Sequence, residues 1–225
     1  MPGRLTPLVT GEIYHVFNRG IDGRTTFSAK KEFERSKELL RFYQWSGLSV
    51  RYSVFGEWDT VRQVDFFKKI RSKSKPLVGI LAYCLMPNHF HLLVRQEIDG
   101  GISKFLSNFQ NSYTRYFNTK NRRIGSLFLD QFKGVRIEEE NQLLHVSRYI
   151  HLNPFTSFVV RTLDELETYP WSSLREYLGS DTTQICQKQM LLGLIKRKTS
   201  FRSFVFDHAE YQRRLAGISH LTFET

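Results

Sequence analysis

The chain has 225 residues, with 33 Lys and Arg against 22 Asp and Glu, a formal net charge of +11. Hydrophobic residues make up 40% and aromatics 14%, enough apolar material for a sizeable core, which excludes a chain disordered throughout. The charge calls for a polyanionic partner, nucleic acid ahead of an anionic membrane surface. The two cysteines, Cys84 and Cys186, are too few for a disulfide framework or a four-cysteine zinc site.

No stretch approaches the roughly 18 apolar residues of a membrane span, and the N-terminus lacks the apolar core of a signal peptide. A reduced, cytoplasmic setting without a membrane partner is therefore expected. In chain order, residues 12–18 read as a strand, followed by a turn at Gly20, Asp22 and Gly23. Residues 29–45 read as a helix, with Phe33, Leu39, Leu40 and Phe42 near helical spacing and Gly47 to end it. Residues 46–76 are the hardest to place. Val61, Val64, Phe66 and Phe67 mark a second helix, and the basic run 68–75 reads as a solvated loop or a phosphate contact.

The strongest β signal follows. The apolar runs 77–85 and 89–94, separated by Met86, Pro87 and Asn88, predict a hairpin of two buried strands. Beyond Gly100 and Gly101, apolar positions at Ile102, Phe105, Leu106, Phe109, Tyr113, Tyr116 and Phe117 predict an amphipathic helix. Leu127, Phe128 and residues 132–137 supply a further strand or pair of strands. A helix over 139–153 follows, acidic at its start and stopped by Pro154.

The order β-α-(insert)-β-β-α-β-α predicts an α+β fold. It is a ferredoxin-like antiparallel sheet with helices on one face, plus one added helix. Residues 169–173 read as a turn or capping element. Beyond Gly179 a small helical appendix is expected, rich in Lys196, Arg197, Lys198, Arg213 and Arg214. The expected division is a first domain over 1–175, with 46–76 as an insertion in it, and an appendix over 176–225.

His89 and His91 lie two apart on a strand, so both rings share one face while Phe90 and Leu92 take the other. Such a pair is half of a metal site, and equally the pattern of two hydrogen-bonded core histidines. The otherwise apolar strand and the tight turn before it favour a site. Tyr149 and Asn153, four apart, share a helix face, a spacing that also suits an ordinary amphipathic helix. Imidazole plus amide oxygen is a poor zinc set and suits a harder ion such as Mg2+ or Mn2+. Among the ten tyrosines, Tyr83, Tyr113 and Tyr116 fall in apolar stripes and read as core.

The segment 82–94, AYCLMPNHFHLLV, resembles the histidine–hydrophobic–histidine motif of single-tyrosine DNA transposases. The segment 147–154, SRYIHLNP, resembles the nucleophile helix of that superfamily. Segments 112–118, 125–133 and 169–173 are similar to those of its REP-associated tyrosine transposases, so the resemblance runs in order from about residue 12 to residue 177.

The resemblance implies Tyr149 as nucleophile and His89 and His91 as ligands of Mg2+ or Mn2+. It places Asn153 where insertion-sequence relatives carry a Gln, as a third ligand, direct or through a water. The expected activity is nicking and joining of single-stranded or hairpin DNA through a 5′-phosphotyrosine, by a monomer or homodimer near a prokaryotic nucleoid. DNA contacts are expected from the acid-free span 100–129 with Lys104, Arg115, Lys120, Arg122 and Arg123, and from Lys133, Arg136 and Arg148. The alternative is a non-catalytic or domesticated protein that binds single-stranded nucleic acid. A metal phosphodiesterase using activated water would need more carboxylate or His ligands than the sequence offers.

Overall fold

The computed structural model describes residues 7–195 and 199–214. Lys196, Arg197 and Lys198 of the expected appendix lie outside the described residues. Strand β1 (Ile13–Arg19) is followed by helices α1 (Lys30–Tyr43), α2 (Tyr52–Phe55) and α3 (Thr60–Lys73), and then by strands β2 (Val78–Met86) and β3 (His89–Gln96). Helix α4 (Gly101–Lys120), strand β4 (Lys133–Ile137) and helices α5 (Glu140–Thr156), α6 (Leu163–Thr168) and α7 (Leu174–Tyr177) continue the chain. Helices α8 (Gln189–Leu194) and α9 (Phe201–Phe206) complete it.

The sheet has the order β2-β3-β1-β4 with every pair antiparallel. This is the ferredoxin-like arrangement expected from the element order. Helices α1 and α4 cover one face together with Tyr14, Val16, Phe90, Leu92 and Val94. Helix α5 covers the other face with Leu81, Leu93 and Ile137, and α8 and α9 pack on it. Cover on both faces explains why every residue of β2 is buried and why that strand reads as an unbroken apolar run.

The outer edge of β2 does not stay open. The Leu85 N–H donates to the Trp171 carbonyl (2.9 Å), the Ser173 N–H to the Tyr83 carbonyl (2.9 Å) and the Gln187 N–H to the Ile80 carbonyl (2.8 Å). The expected capping element at 169–173 is thus a cap on a sheet edge, which removes a template for unwanted pairing.

Four expectations are corrected. The basic run 68–75 is not a loop. Lys68 to Lys73 form the end of α3, which starts where the Asp59 carboxylate accepts the Arg62 N–H. Phe67 and Ile70 bury its apolar side, so the cations are its solvent face. Helix α5 does not stop at Pro154 but runs to Thr156. Proline is costly mid-helix, but here it stands in the last turn, and its carbonyl accepts the Val159 and Val160 N–H groups at 2.9 and 3.0 Å.

Helix α1 ends at Tyr43, before Gly47, because the Gln44 carbonyl is taken by the Leu77 N–H (2.6 Å) at the entry to β2. The fourth concerns only the second of the two strands allowed for: Phe128 makes an isolated bridge to Gly20, and the single-strand alternative holds, as β4. Residues 46–76 pack onto α1 through Phe42, whose ring centroid lies 4.8 Å from Phe55 and 5.4 Å from Tyr52.

His151, one turn face away from Tyr149, is fully buried and shares a 2.8 Å hydrogen bond between its Nε2 and Ser173 Oγ. It thereby ties α5 to the cap on β2. Burial lowers its pKa to about 3. The unfolded chain therefore takes up a proton near pH 6.5 while the folded chain does not. The stability this neutral ring carries is complete above that pH and is lost as pH falls toward the folded value. By pH 4.5 the loss amounts to about 3 kcal/mol. Urea unfolding at pH 7 and pH 4.5 should show wild type losing more stability on acidification than His151→Gln, by an amount of that order. Equal losses would refute the assignment.

Candidate active site

The site lies on the α5 face of the sheet. In the β1–β3 register Phe17 pairs with His91, Arg19 with His89 and His15 with Leu93. Alternation along each strand puts His15, Phe17 and Arg19 on the same face as His89 and His91. The Pro87–Asn88 turn places His89 first on β3, at the rim, and His91 inside, only 6% exposed. The two imidazoles stand edge to face with centroids 5.0 Å apart.

Each ring has one nitrogen engaged. His89 Nδ1 lies 2.6 Å from Asn88 Oδ1, and His91 Nδ1 lies 3.0 Å from His15 Nε2. The Nε2 atoms remain. Helix α5 brings Tyr149 over this group, its ring 5.4 Å from His91 and 6.0 Å from His15, with 37% of the residue still exposed. One turn further, Asn153 is buried, and its Oδ1 has no hydrogen-bond partner. Its side chain lies within polar reach of both the His89 ring and the Tyr149 hydroxyl. The structure thus brings Tyr149, Asn153 and the His pair together.

Burial dominates the electrostatics. It lowers the His15 pKa to about 4 and takes His91 well below its usual value, with His89 and His15 adding to the effect on His91. His89 is also lowered, by burial first, against the opposing pull of the nearby Asn153 amide and with help from the Arg19 guanidinium. All three rings are therefore neutral at pH 7, with lone pairs available. Burial raises the Tyr149 phenol, partly offset by the nearby Asn153 amide, so this hydroxyl is protonated at pH 7 and must lose its proton on attacking an electrophile.

Among the described residues no group of three or more His, Cys, Asp or Glu is arranged to hold a metal. The set that does converge is two neutral imidazoles plus an amide oxygen. An unpartnered buried carbonyl oxygen costs free energy unless something fills its lone pairs, and a cation would do so.

Residues 48–153 match the family model described as "Transposase IS200 like". That segment is similar to the IS200-like transposases and spans just under half of the chain. The family segment contains His89, His91 and Tyr149 and ends on Asn153, while His15 and Arg19 precede it. A solved structure of a REP-associated tyrosine transposase bound to a REP hairpin superposes with a TM-score of 0.56. The match has 12% identity and covers 82% of this chain and 90% of that one, so the two share a fold. No curated protein matches the chain.

The expected DNA contacts fall into separate places. Lys133 lines a cleft of about 320 Å³ beside His89, together with Arg19, Asn88 and Phe17. Arg19 and His15 escaped the sequence reading. Their signal was alternation in 13–19, which puts both on the face opposite the buried Tyr14 and Val16.

Arg115 and Lys120 line a groove of about 520 Å³ between α1, α2 and α4, on the other face of the sheet, with Arg35, Arg51, Asn108 and Asn111. No acidic residue lines it. Lys120 is held by the buried Glu32 at 2.6 Å. Lys104 and Arg122 are exposed. The Arg123 guanidinium donates to Asn118 Oδ1 and the Ser126 carbonyl, closing the loop after α4. Arg136 pairs with Glu12 at 3.0 Å and follows Tyr14 in register, away from the histidines. Arg148 turns to α9, donating to the Phe204 carbonyl and covering the Phe204 ring. Among the described residues no helix is long and apolar enough to cross a membrane.

Proposed function

We propose that the chain nicks and rejoins single-stranded DNA through a covalent 5′-phosphotyrosine on Tyr149, at a hairpin-forming target and with a divalent metal. The observation that carries this reading is the half-exposed Tyr149 ring set against His91, with the unpartnered Asn153 Oδ1 one turn along the same helix. His89 Nε2, His91 Nε2 and Asn153 Oδ1 would hold Mg2+ or Mn2+, which when bound supplies charge stabilisation to a scissile phosphate.

The phenol oxygen of Tyr149 forms the new bond to phosphorus, and the bond from phosphorus to the 3′-oxygen breaks. The phenol proton is released and the 3′-oxygen takes one up, so the step is neutral overall. The bond energy stays in the phosphotyrosine, and attack by a 3′-hydroxyl rejoins the strand. Arg19 and Lys133 beside His89 are placed to receive the flanking phosphates. The test is a single-stranded oligonucleotide with a hairpin and a nick that prevents rejoining. With Mn2+ it should give a denaturant-resistant adduct whose peptide map carries the nucleotide on Tyr149. Cleavage without any adduct would overturn the proposal in favour of activated water.

The α1–α2–α4 groove has guanidinium groups for phosphates and amides for bases, and we assign it to the hairpin stem, as a solved structural neighbour is bound to a hairpin. Arg51→Ala and Arg115→Ala should each weaken hairpin binding and flatten the dependence of log affinity on log salt by about 0.7–0.9. Fluorescence anisotropy from low to moderate salt measures this. An unchanged slope in both variants would remove the groove from the DNA path.

A further inference from the structure

Neither the family segment nor the sequence reading gives His15 a role, yet it is hydrogen-bonded directly to the candidate ligand His91. Its Nε2 meets His91 Nδ1 at 3.0 Å, and the two rings lie nearly parallel, 27° apart with centroids at 5.1 Å. Phe17, paired with His91 across β1 and β3, packs against both rings at 5.0 and 5.5 Å and limits their rotation. We propose that His15 is a positioning residue that accepts the Nδ1 proton of His91 and so fixes the tautomer in which His91 Nε2 carries the lone pair. This rests on the metal-dependent reading given above.

The chemistry allows two arrangements. Two neutral imidazoles joined by one hydrogen bond need one N–H and one lone pair between them. If His15 donates, His91 must keep its proton on Nε2, and that nitrogen cannot bind a cation. If His91 donates, Nε2 is free. The second arrangement reproduces what the neighbouring ligand has. Asn88 Oδ1 can only accept, so His89 carries its proton on Nδ1 and presents Nε2. Each histidine then has its own acceptor behind it, one from the turn and one from β1. His15 is not an additional ligand in this arrangement, because its Nε2 is directed at the His91 ring. Such outer partners typically change metal affinity by 10–100-fold.

The experiment uses the whole chain without DNA. Long-range 1H–15N spectra report the tautomer of each histidine, and electron paramagnetic resonance reports Mn2+ binding. Metal-free wild type should show His91 protonated on Nδ1. His15→Leu should bind Mn2+ about 10–100-fold more weakly, and His15→Gln, whose amide oxygen can accept the same proton, should recover most of the loss. His91 protonated on Nε2 in the wild type, or Mn2+ binding by His15→Leu within about twofold of wild type against that expected loss, overturns the role. If His15→Leu does not fold, judged by circular dichroism, the wild-type tautomer and His15→Gln decide. A wild type that binds no Mn2+ overturns the metal reading and this role with it. Binding that His15→Leu leaves intact overturns this role alone.

Discussion

Tyr149→Phe is expected to abolish the covalent protein–DNA adduct while leaving hairpin binding nearly unchanged. The substitution removes one oxygen and keeps the ring that packs at 5.4 Å from His91 and 6.0 Å from His15. The residue is 37% exposed, so little stability depends on it. Four of the other phenols are out of reach. Tyr83 and Tyr113 are fully buried, and the hydroxyls of Tyr169 and Tyr177 donate to the Leu85 and Leu81 carbonyls inside the second core. A nucleophile lost without a substitute costs at least about 10³-fold in rate. The readout is the adduct band on the hairpin oligonucleotide. An undiminished band in the variant would remove Tyr149 from the chemistry.

His89→Ala should reduce single-turnover cleavage by about 10³-fold, the equivalent of the several kcal/mol that a positioned cation contributes at a phosphate. Hairpin binding should fall far less, because affinity rests on cationic side chains. His89 is the better ligand to remove. It stands at the rim of the cleft, whereas His91 is 6% exposed and its truncation would leave a cavity. Because burial keeps His89 and His91 neutral below their usual range, wild-type cleavage should persist at mildly acid pH. Cleavage in wild type that survives a chelator would exclude the metal from the reaction.

Much of the scaffold was legible in the sequence because its elements repeat at the periods that burial imposes. The unbroken apolar run of β2 reflects cover on both faces, and the helical stripe from Ile102 to Phe117 is the buried side of α4. His89, His91, Tyr149 and Asn153 were readable because each pair lies within one element, at spacing 2 on a strand and spacing 4 on a helix. His15 was not. Its partner is 76 residues away, and only the β1–β3 register, a tertiary property, brings the two together. The basic run of α3 misled for a related reason. Its two buried residues, Phe67 and Ile70, are too few to announce a helix among five cations. Arg148 shows the opposite limit, since a cation beside Tyr149 in sequence is spent on packing against Phe204.

The spread of the site along the chain has a consequence for biosynthesis. His15 comes from the first strand, His89 and His91 from the third, and Tyr149 and Asn153 from a helix formed only after β4. Contacts at such separation form late, because long loops must close first. A nascent chain still lacking α5 has the histidines without Tyr149, and a fragment lacking β1 has Tyr149 and a His91 without its His15 partner. On the proposed reading, competence to break a DNA strand is therefore a property of the finished molecule.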